Sequence, residues 1–301
     1  MISPQQLAEL YRQACEIELQ AFKPGNVSVY ADGHDMTVSD FRISAEVSSA
    51  PLCDSTYSLG EKIFYAVKAT RDAVGCNTNL GIILLCAPLI QAAASINDGM
   101  TLRQALSQVL ESTTITDADW VFKAIALAAP GGLGDSDEQD VHNPASVTLT
   151  QAMQIAGGKD RIALQYVSAY KDIFDFAVLR YNARLSQWRD KNWAAVFVYA
   201  ELLSQYPDSH IERKHGNKYT DWVATRMRQF LEEFGGATDP TQSMQALFCL
   251  DTEFKSIGVN PGTTADMTVA TILSVLIEAF FATIIIDKSS AKICSNQTNN
   301  I

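Results

Sequence analysis

The run Met267–Ile286 is apolar around its whole circumference and carries one acid, Glu278. At about the length of a membrane span, such a helix must be surrounded either by lipid or by protein. Threonine and alanine recur along it, and it follows a polar turn, Gly258-Val259-Asn260-Pro261-Gly262-Thr263-Thr264-Ala265-Asp266, which needs contact with solvent. Burial at the centre of a protein core is therefore expected, with no membrane partner. Pro261 and Gly262 enforce the turn, Thr263 or Thr264 can cap the helix, and Asp266 falls in its first turn, where backbone N–H groups point outward. Such an end holds an anion, or places a carboxylate beside one.

A buried central helix needs partners, and the rest of the chain supplies helical periodicity. Leu7, Leu10, Tyr11, Ala14, Ile17 and Ala21 recur at three- and four-residue steps, with Ser3 as cap and Pro4 at the first helical position. Similar patterns predict helices over 41–50, 59–73, 80–96, 101–110, 117–129, 148–156, 160–185, 193–206, 219–234, 241–255 and 263–286. No β-branched run of period two is long enough for a sheet. The expected fold is all-α: a single-domain multi-helix bundle over residues 1–287 with a central buried apolar C-terminal helix, followed by a polar tail, 288–301, that frays.

Composition narrows the function. A net charge of -11 at pH 7 argues against a nucleic-acid surface, and an anionic ligand must be drawn in by local features or a metal. The six cysteines are scattered without a Cys-x-x-Cys pair, which reads as reduced thiols. With no basic, apolar leader at the N-terminus, a cytoplasmic location is expected.

Four polar segments could carry chemistry. Lys23-Pro24-Gly25-Asn26 is a turn whose lysine suits phosphate as a point charge, and His34-Asp35 beyond it could hold a metal or a proton. Gly75-Cys76-Asn77-Thr78-Asn79-Leu80-Gly81 opens an apolar helix with side-chain oxygens from Asn77 and Thr78. The acidic loop Asp135–His142 could collect a divalent cation or be a solvated surface loop. Asp208-Ser209-His210-Ile211-Glu212-Arg213-Lys214-His215-Gly216 gathers a carboxylate, two histidines and cations between predicted helices, in a chain only 19% charged.

In order and spacing these segments resemble the ATP:dephospho-CoA triphosphoribosyltransferase family. Its Lys-Pro-Gly and His-x-Asp-Met are similar to Lys23-Pro24-Gly25 and His34-Asp35-Met36, and its Gly-x-Asn-Thr-His-Lys-Gly to Gly75 through Gly81. Its Asp-Thr-Asn-Leu-x-x-Arg-Gly-Gly is similar to Asp208 through Gly216, and its Ser-Pro-Gly-Gly-Ser-Ala-Asp-Leu to Asn260 through Met267. Asn79 and Leu80 stand where the citrate-lyase enzymes of the family carry His and Lys.

The resemblance implies ATP and dephospho-CoA as substrates: a ribose 2′-hydroxyl attacks C1′ of ATP, adenine leaves, and the triphosphoribosyl group is transferred. It further implies Mg²⁺ to offset the triphosphate charge. Asp35, Asp208 and Asp266 are then the carboxylates that divide metal binding and catalysis. Lys23, Gly25, Asn26, Asn77, Thr78, Gly81, Lys214, Gly216, Asn260, Gly262 and Thr263 are expected around the nucleotide. Other readings are phosphoribosyl chemistry in a pterin, one-carbon or other cofactor pathway, or a helical nucleotide-binding module without turnover. An oligomer is compatible with all of them.

Overall fold

The computed structural model describes residues 2–31, 36–97, 99–130 and 139–298. Among them the chain is helical, with no strand beyond an isolated bridge between Ser28 and Ala31. The helices are α1 (Pro4–Gln20), α2 (Val38–Cys53), α3 (Leu59–Val74), α4 (Leu80–Ser95), α5 (Leu102–Glu111), α6 (Ile115–Ala128) and α7 (Leu149–Ala156). They continue with α8 (Arg161–Val167), α9 (Val178–Trp188), α10 (Lys191–Gln205), α11 (Ser209–His215), α12 (Thr220–Phe234), α13 (Met244–Ser256) and α14 (Gly262–Thr298).

Most starts are written locally. Ser3, Thr37, Ser58, Thr101, Thr114 and Thr148 each accept from the backbone N–H three residues on, and the residue there reaches back, closing a capping box.

Two apolar helices form the centre. α14 packs against α1, α4, α9 and α10, and α4 is buried over almost its whole length. The hydroxyls of Thr268, Thr271 and Ser274 turn back onto the carbonyls of Thr264, Met267 and Ala270, so polar residues tolerate full burial inside α14. Pro88 inside α4 has no N–H for the carbonyl of Leu84. The hydroxyl of Tyr166 donates to that carbonyl at 2.6 Å, and Tyr170 donates to Leu85 O at 2.9 Å.

Three local expectations are corrected. α14 is buried through Ile277, but Glu278, Ala279, Ala282 and Thr283 are exposed, and its backbone stays helical to Thr298 rather than ending at Ile286. No glycine or proline after Gly262 interrupts it. The helix expected over 160–185 is split, because Ala169 and Tyr170 adopt φ of 48° and 56°. Residues 209–215, read as part of a polar turn, form α11.

Candidate functional site

The Lys23 turn follows α1 and faces inward. The Lys23 ammonium is fully buried, 3.0 Å from Glu18 Oε1, and it donates to the carbonyls of Glu18 (2.7 Å), Val27 (2.8 Å) and Ala21 (3.3 Å). Burial pushes Glu18 up and Lys23 down, and the charge of each pulls the other back. With every donor engaged inside, Lys23 holds the turn together and faces Glu18 and three carbonyls.

Gly25 and Asn26 dock this turn onto the start of α14. The Gly25 N–H donates to Asp251 Oδ1 at 2.8 Å, while Asp251 is paired with Lys255 at 2.9 Å. Gly25 sits at φ +82°, and a Cβ there would lie 2.8 Å from Val259 O and 3.0 Å from Pro261 Cδ, so only glycine allows this approach. Asn26 Nδ2 donates to Asn260 Oδ1 at 2.8 Å.

Asp208 joins α11 to α14. Its Oδ1 accepts from the N–H groups of His210 (2.9 Å) and Ile211 (3.1 Å), and its Oδ2 from the N–H and hydroxyl of Thr264, both at 2.7 Å. Thr263 Oγ1 accepts from the His210 N–H at 3.2 Å. Burial pushes the Asp208 carboxyl upward and these hydrogen bonds pull it back; four donors and no acceptor around it suit the ionised form. Both oxygens are occupied. Asp208 thereby caps α11 and ties it to the first turn of α14.

Asp266 differs. Among the described residues no hydrogen bond or ion pair reaches its carboxylate, which lies over Gly81 at the start of α4. A Cβ at Gly81 would come within 2.0 Å of Asp266 Oδ2 and 2.6 Å of its Cγ, so the glycine is the space that the carboxylate fills. Burial pushes the Asp266 carboxyl well above the usual range, as do the charges of Glu18, Asp208 and Asp160, while Arg213 opposes them. The position is an unpartnered carboxyl in a negative field, where positive charge is favoured.

The α4 start is the next wall. Asn77 Oδ1 accepts from the Leu80 N–H at 3.2 Å, and the Thr78 hydroxyl meets Ser44 Oγ at 2.5 Å. Asn79 Nδ2 lies 3.4 Å from Ser48 Oγ, and the Asn79 side chain does not cap its own helix. Leu80 is buried in the core, so this start has no side-chain cation. A cleft of about 210 Å³ opens beside it between α1, α2 and α4, with Glu18 and Asn79 on its lining.

The remaining expected residues spread outward. Lys214 is exposed and rests on Gly258 O at 3.3 Å, and Gly216 ends α11 at the surface. The His210 ring packs against Gly262, and its pKa is lowered, chiefly by burial. Asp35 and His34 lie outside the described residues, as do residues 135–138 of the acidic loop; in its described part the His142 N–H donates to Asp140 Oδ1 at 2.8 Å. Among the described residues no three His, Cys, Asp or Glu side chains are grouped to hold a metal. Thus Gly25, Asn26, Asn260, Gly262, Thr263 and Asp208 form one stitched corner. Gly81 brings Asp266 onto the α4 start, and Asn77 and Thr78 stand beside it. Sequence reasoning missed Glu18, whose only signal was an acid on the apolar face of α1.

Comparisons with known proteins bear on the family and the fold. The family model described as ATP:dephospho-CoA triphosphoribosyl transferase matches residues 4–283. A crystal structure from Archaeoglobus fulgidus, provisionally described as a triphosphoribosyl-dephospho-CoA synthase, shares the fold at a TM-score of 0.59 and 23% identity, over 78% of this chain and 97% of that one. No curated protein matches the chain significantly.

Proposed function

The chain belongs to the ATP:dephospho-CoA triphosphoribosyl transferase family, and we propose that it carries out that family's transfer at the helix starts around Asp266. The reaction moves the triphosphoribosyl group of ATP to dephospho-CoA. The ribose O2′ of dephospho-CoA forms a bond to C1′ of ATP as the C1′–N9 bond breaks. The bonding pair leaves with adenine, which takes up a proton, while O2′ gives one up.

The observation that carries this reading is Asp266, an unpartnered carboxyl among Glu18, Asp208 and Asp160. The departing base leaves positive charge on the ribose, and preorganised carboxylates stabilise it without reorganising. A carboxyl whose pKa is raised by its surroundings is also a stronger proton acceptor once ionised than an ordinary one. Asp266 therefore takes the O2′ proton. Asp208 acts through position: by capping α11 and holding Thr264, it fixes the first turn on which Asp266 stands.

The triphosphate takes the helix starts at Asn77-Thr78 and Thr263, since Asp208 already occupies the donors of Thr264, and the exposed Lys214, which one long contact holds and which is free to swing. Mg²⁺ fits as an ion carried on the triphosphate, since it commonly binds through one or two carboxylates plus substrate phosphates. Asp266 offers open oxygens for it, with Asp35 the further candidate. When bound, the ion offsets phosphate charge. A cytoplasmic location agrees with the free thiols of Cys15, Cys53, Cys76, Cys86 and Cys249. A binding module without turnover is not favoured, because the family match runs through every segment of the site.

The test is chromatography of ATP incubated with protein and magnesium, with and without dephospho-CoA. Free adenine that appears only with the acceptor, and falls about 10²-fold in Asp266→Asn, is expected. Full activity in that variant refutes the role of Asp266.

A further inference from the structure

The cleft between α1, α2 and α4 lies beside the α4 start, and its lining is selective. Leu19, Phe41 and Ile82 supply apolar walls, and Glu18 and Asn79 lie at its inner end. Arg12 and Arg42 stand on its rim but are already engaged. Arg12 contacts Glu9 at 2.7 Å, Ser49 at 3.3 Å and Glu46 at 3.5 Å, and Arg42 grips Glu16 through two nitrogens at 2.7 and 3.0 Å. Glu16, Glu46 and Glu18 on its lining are paired with Arg42, Arg12 and Lys23, so the cleft offers phosphate no unpaired cation. Its volume of about 210 Å³ is below the ~300 Å³ where sites for whole drug-sized ligands begin, so it suits one ring system.

We propose that this cleft seats an adenine base. The inference rests on the function proposed above, in which adenine occurs both in ATP and in dephospho-CoA. Placement supports it: Asn79 is two residues from Gly81, on which the Asp266 carboxylate lies, and Glu18 is close enough to act on Asp266 through its charge. The proposal requires the sugar of a base held there to reach that carboxylate. Chemistry supports it as well. One Asn79 Nδ2 hydrogen goes to Ser48 at 3.4 Å, which leaves the other to donate and the carbonyl oxygen to accept, the pair that matches N7 and the exocyclic amine of adenine. Lys23 holds one oxygen of Glu18, and the carboxylate adds further acceptor capacity. Acceptors at the inner end suit the exocyclic amine of adenine and oppose the carbonyl of a 6-oxopurine. Phe41 is an aromatic side chain on the lining against which a base can stack.

Calorimetric titration of the full-length protein with free adenine and with hypoxanthine tests this directly. Adenine is expected to bind at least about tenfold more tightly, the value of one hydrogen bond near 1.4 kcal/mol. Asn79→Leu removes that preference. Ala45→Trp fills the cleft and abolishes binding, and Phe41→Ala, which tolerates folding more readily, weakens it about tenfold. The KM values of Phe41→Ala identify the source of the base: a rise for ATP alone assigns the donor, and a rise for dephospho-CoA alone assigns the acceptor. Unchanged adenine affinity in Phe41→Ala and Ala45→Trp, with both KM values unchanged, overturns the proposal even if adenine is released normally. Adenine that binds in the cleft without ever being released from ATP leaves the cleft standing and removes the transfer reading instead.

Discussion

Replacing Gly81 by alanine separates folding from chemistry. The new Cβ would lie 2.0 Å from Asp266 Oδ2, and ordinary contact begins at 3.4 Å, so the carboxylate must retreat by about 1.4 Å. The other close atom, Ile162 Cδ1 at 2.8 Å, is the end of a flexible side chain and yields easily. Overpacking costs about 1–3 kcal/mol. Alanine in a helix returns about 1 kcal/mol relative to glycine. The net loss is then at most about 2 kcal/mol, a fall of several degrees in Tm for a chain of this size. Displacing a reacting group by about 1 Å can cost 10²-fold in rate. Gly81→Ala is therefore expected to give a folded, cooperative protein by thermal melting whose adenine release is about 10²-fold slower. A folded variant with the wild-type rate would refute the argument that Gly81 exists to seat Asp266.

Asp266→Asn carries a stability signature besides its loss of rate. Because the folded-state pKa of Asp266 is raised, the wild type bears a cost of ionisation that grows as pH rises from the unfolded value to the folded one, and none below both. The variant should melt higher at pH 8 and converge with wild type below pH 4, and wild-type kcat/KM should rise with pH through that raised value; equal melting at every pH contradicts the environment assigned to Asp266. Lys23→Met leaves Glu18 buried without its partner and should cost about 3–5 kcal/mol in urea unfolding, whereas unchanged stability with a raised KM for ATP would restore the phosphate role. Thr264→Val removes the hydroxyl donor to Asp208 and should cost about 1.5–3 kcal/mol by the same assay, while a loss below ~0.5 kcal/mol would show that Asp208 is not the strut described.

Periodicity made most of the helices legible, and the capping boxes of Ser58 with Glu61 and Thr101 with Gln104 show why: each is a local device that needs no tertiary partner. The break between α8 and α9 was not legible. Ala169 and Tyr170 are poor residues for positive φ, and part of what anchors them is the Tyr170 hydroxyl on Leu85 O, far away in sequence. The turns of the site were visible as turns, and only the family resemblance set them around one nucleotide. The direction of each side chain was not visible. Lys-Pro-Gly reads the same whether its ammonium faces a ligand or, as found, Glu18 and three carbonyls. Asp208 before a short helix is equally a cap or a catalyst, until both its oxygens are counted. Glu18 was hidden because nothing in α1 marks which buried acid has a lysine waiting beyond the helix end.

The central claim is that the triphosphoribosyl group moves to dephospho-CoA at this site. Mass spectrometry of dephospho-CoA after incubation with ATP and the protein tests it most directly. The account predicts an adduct heavier by one triphosphoribosyl group, formed in equal amount to free adenine. Unmodified dephospho-CoA beside intact, protein-bound ATP would contradict it.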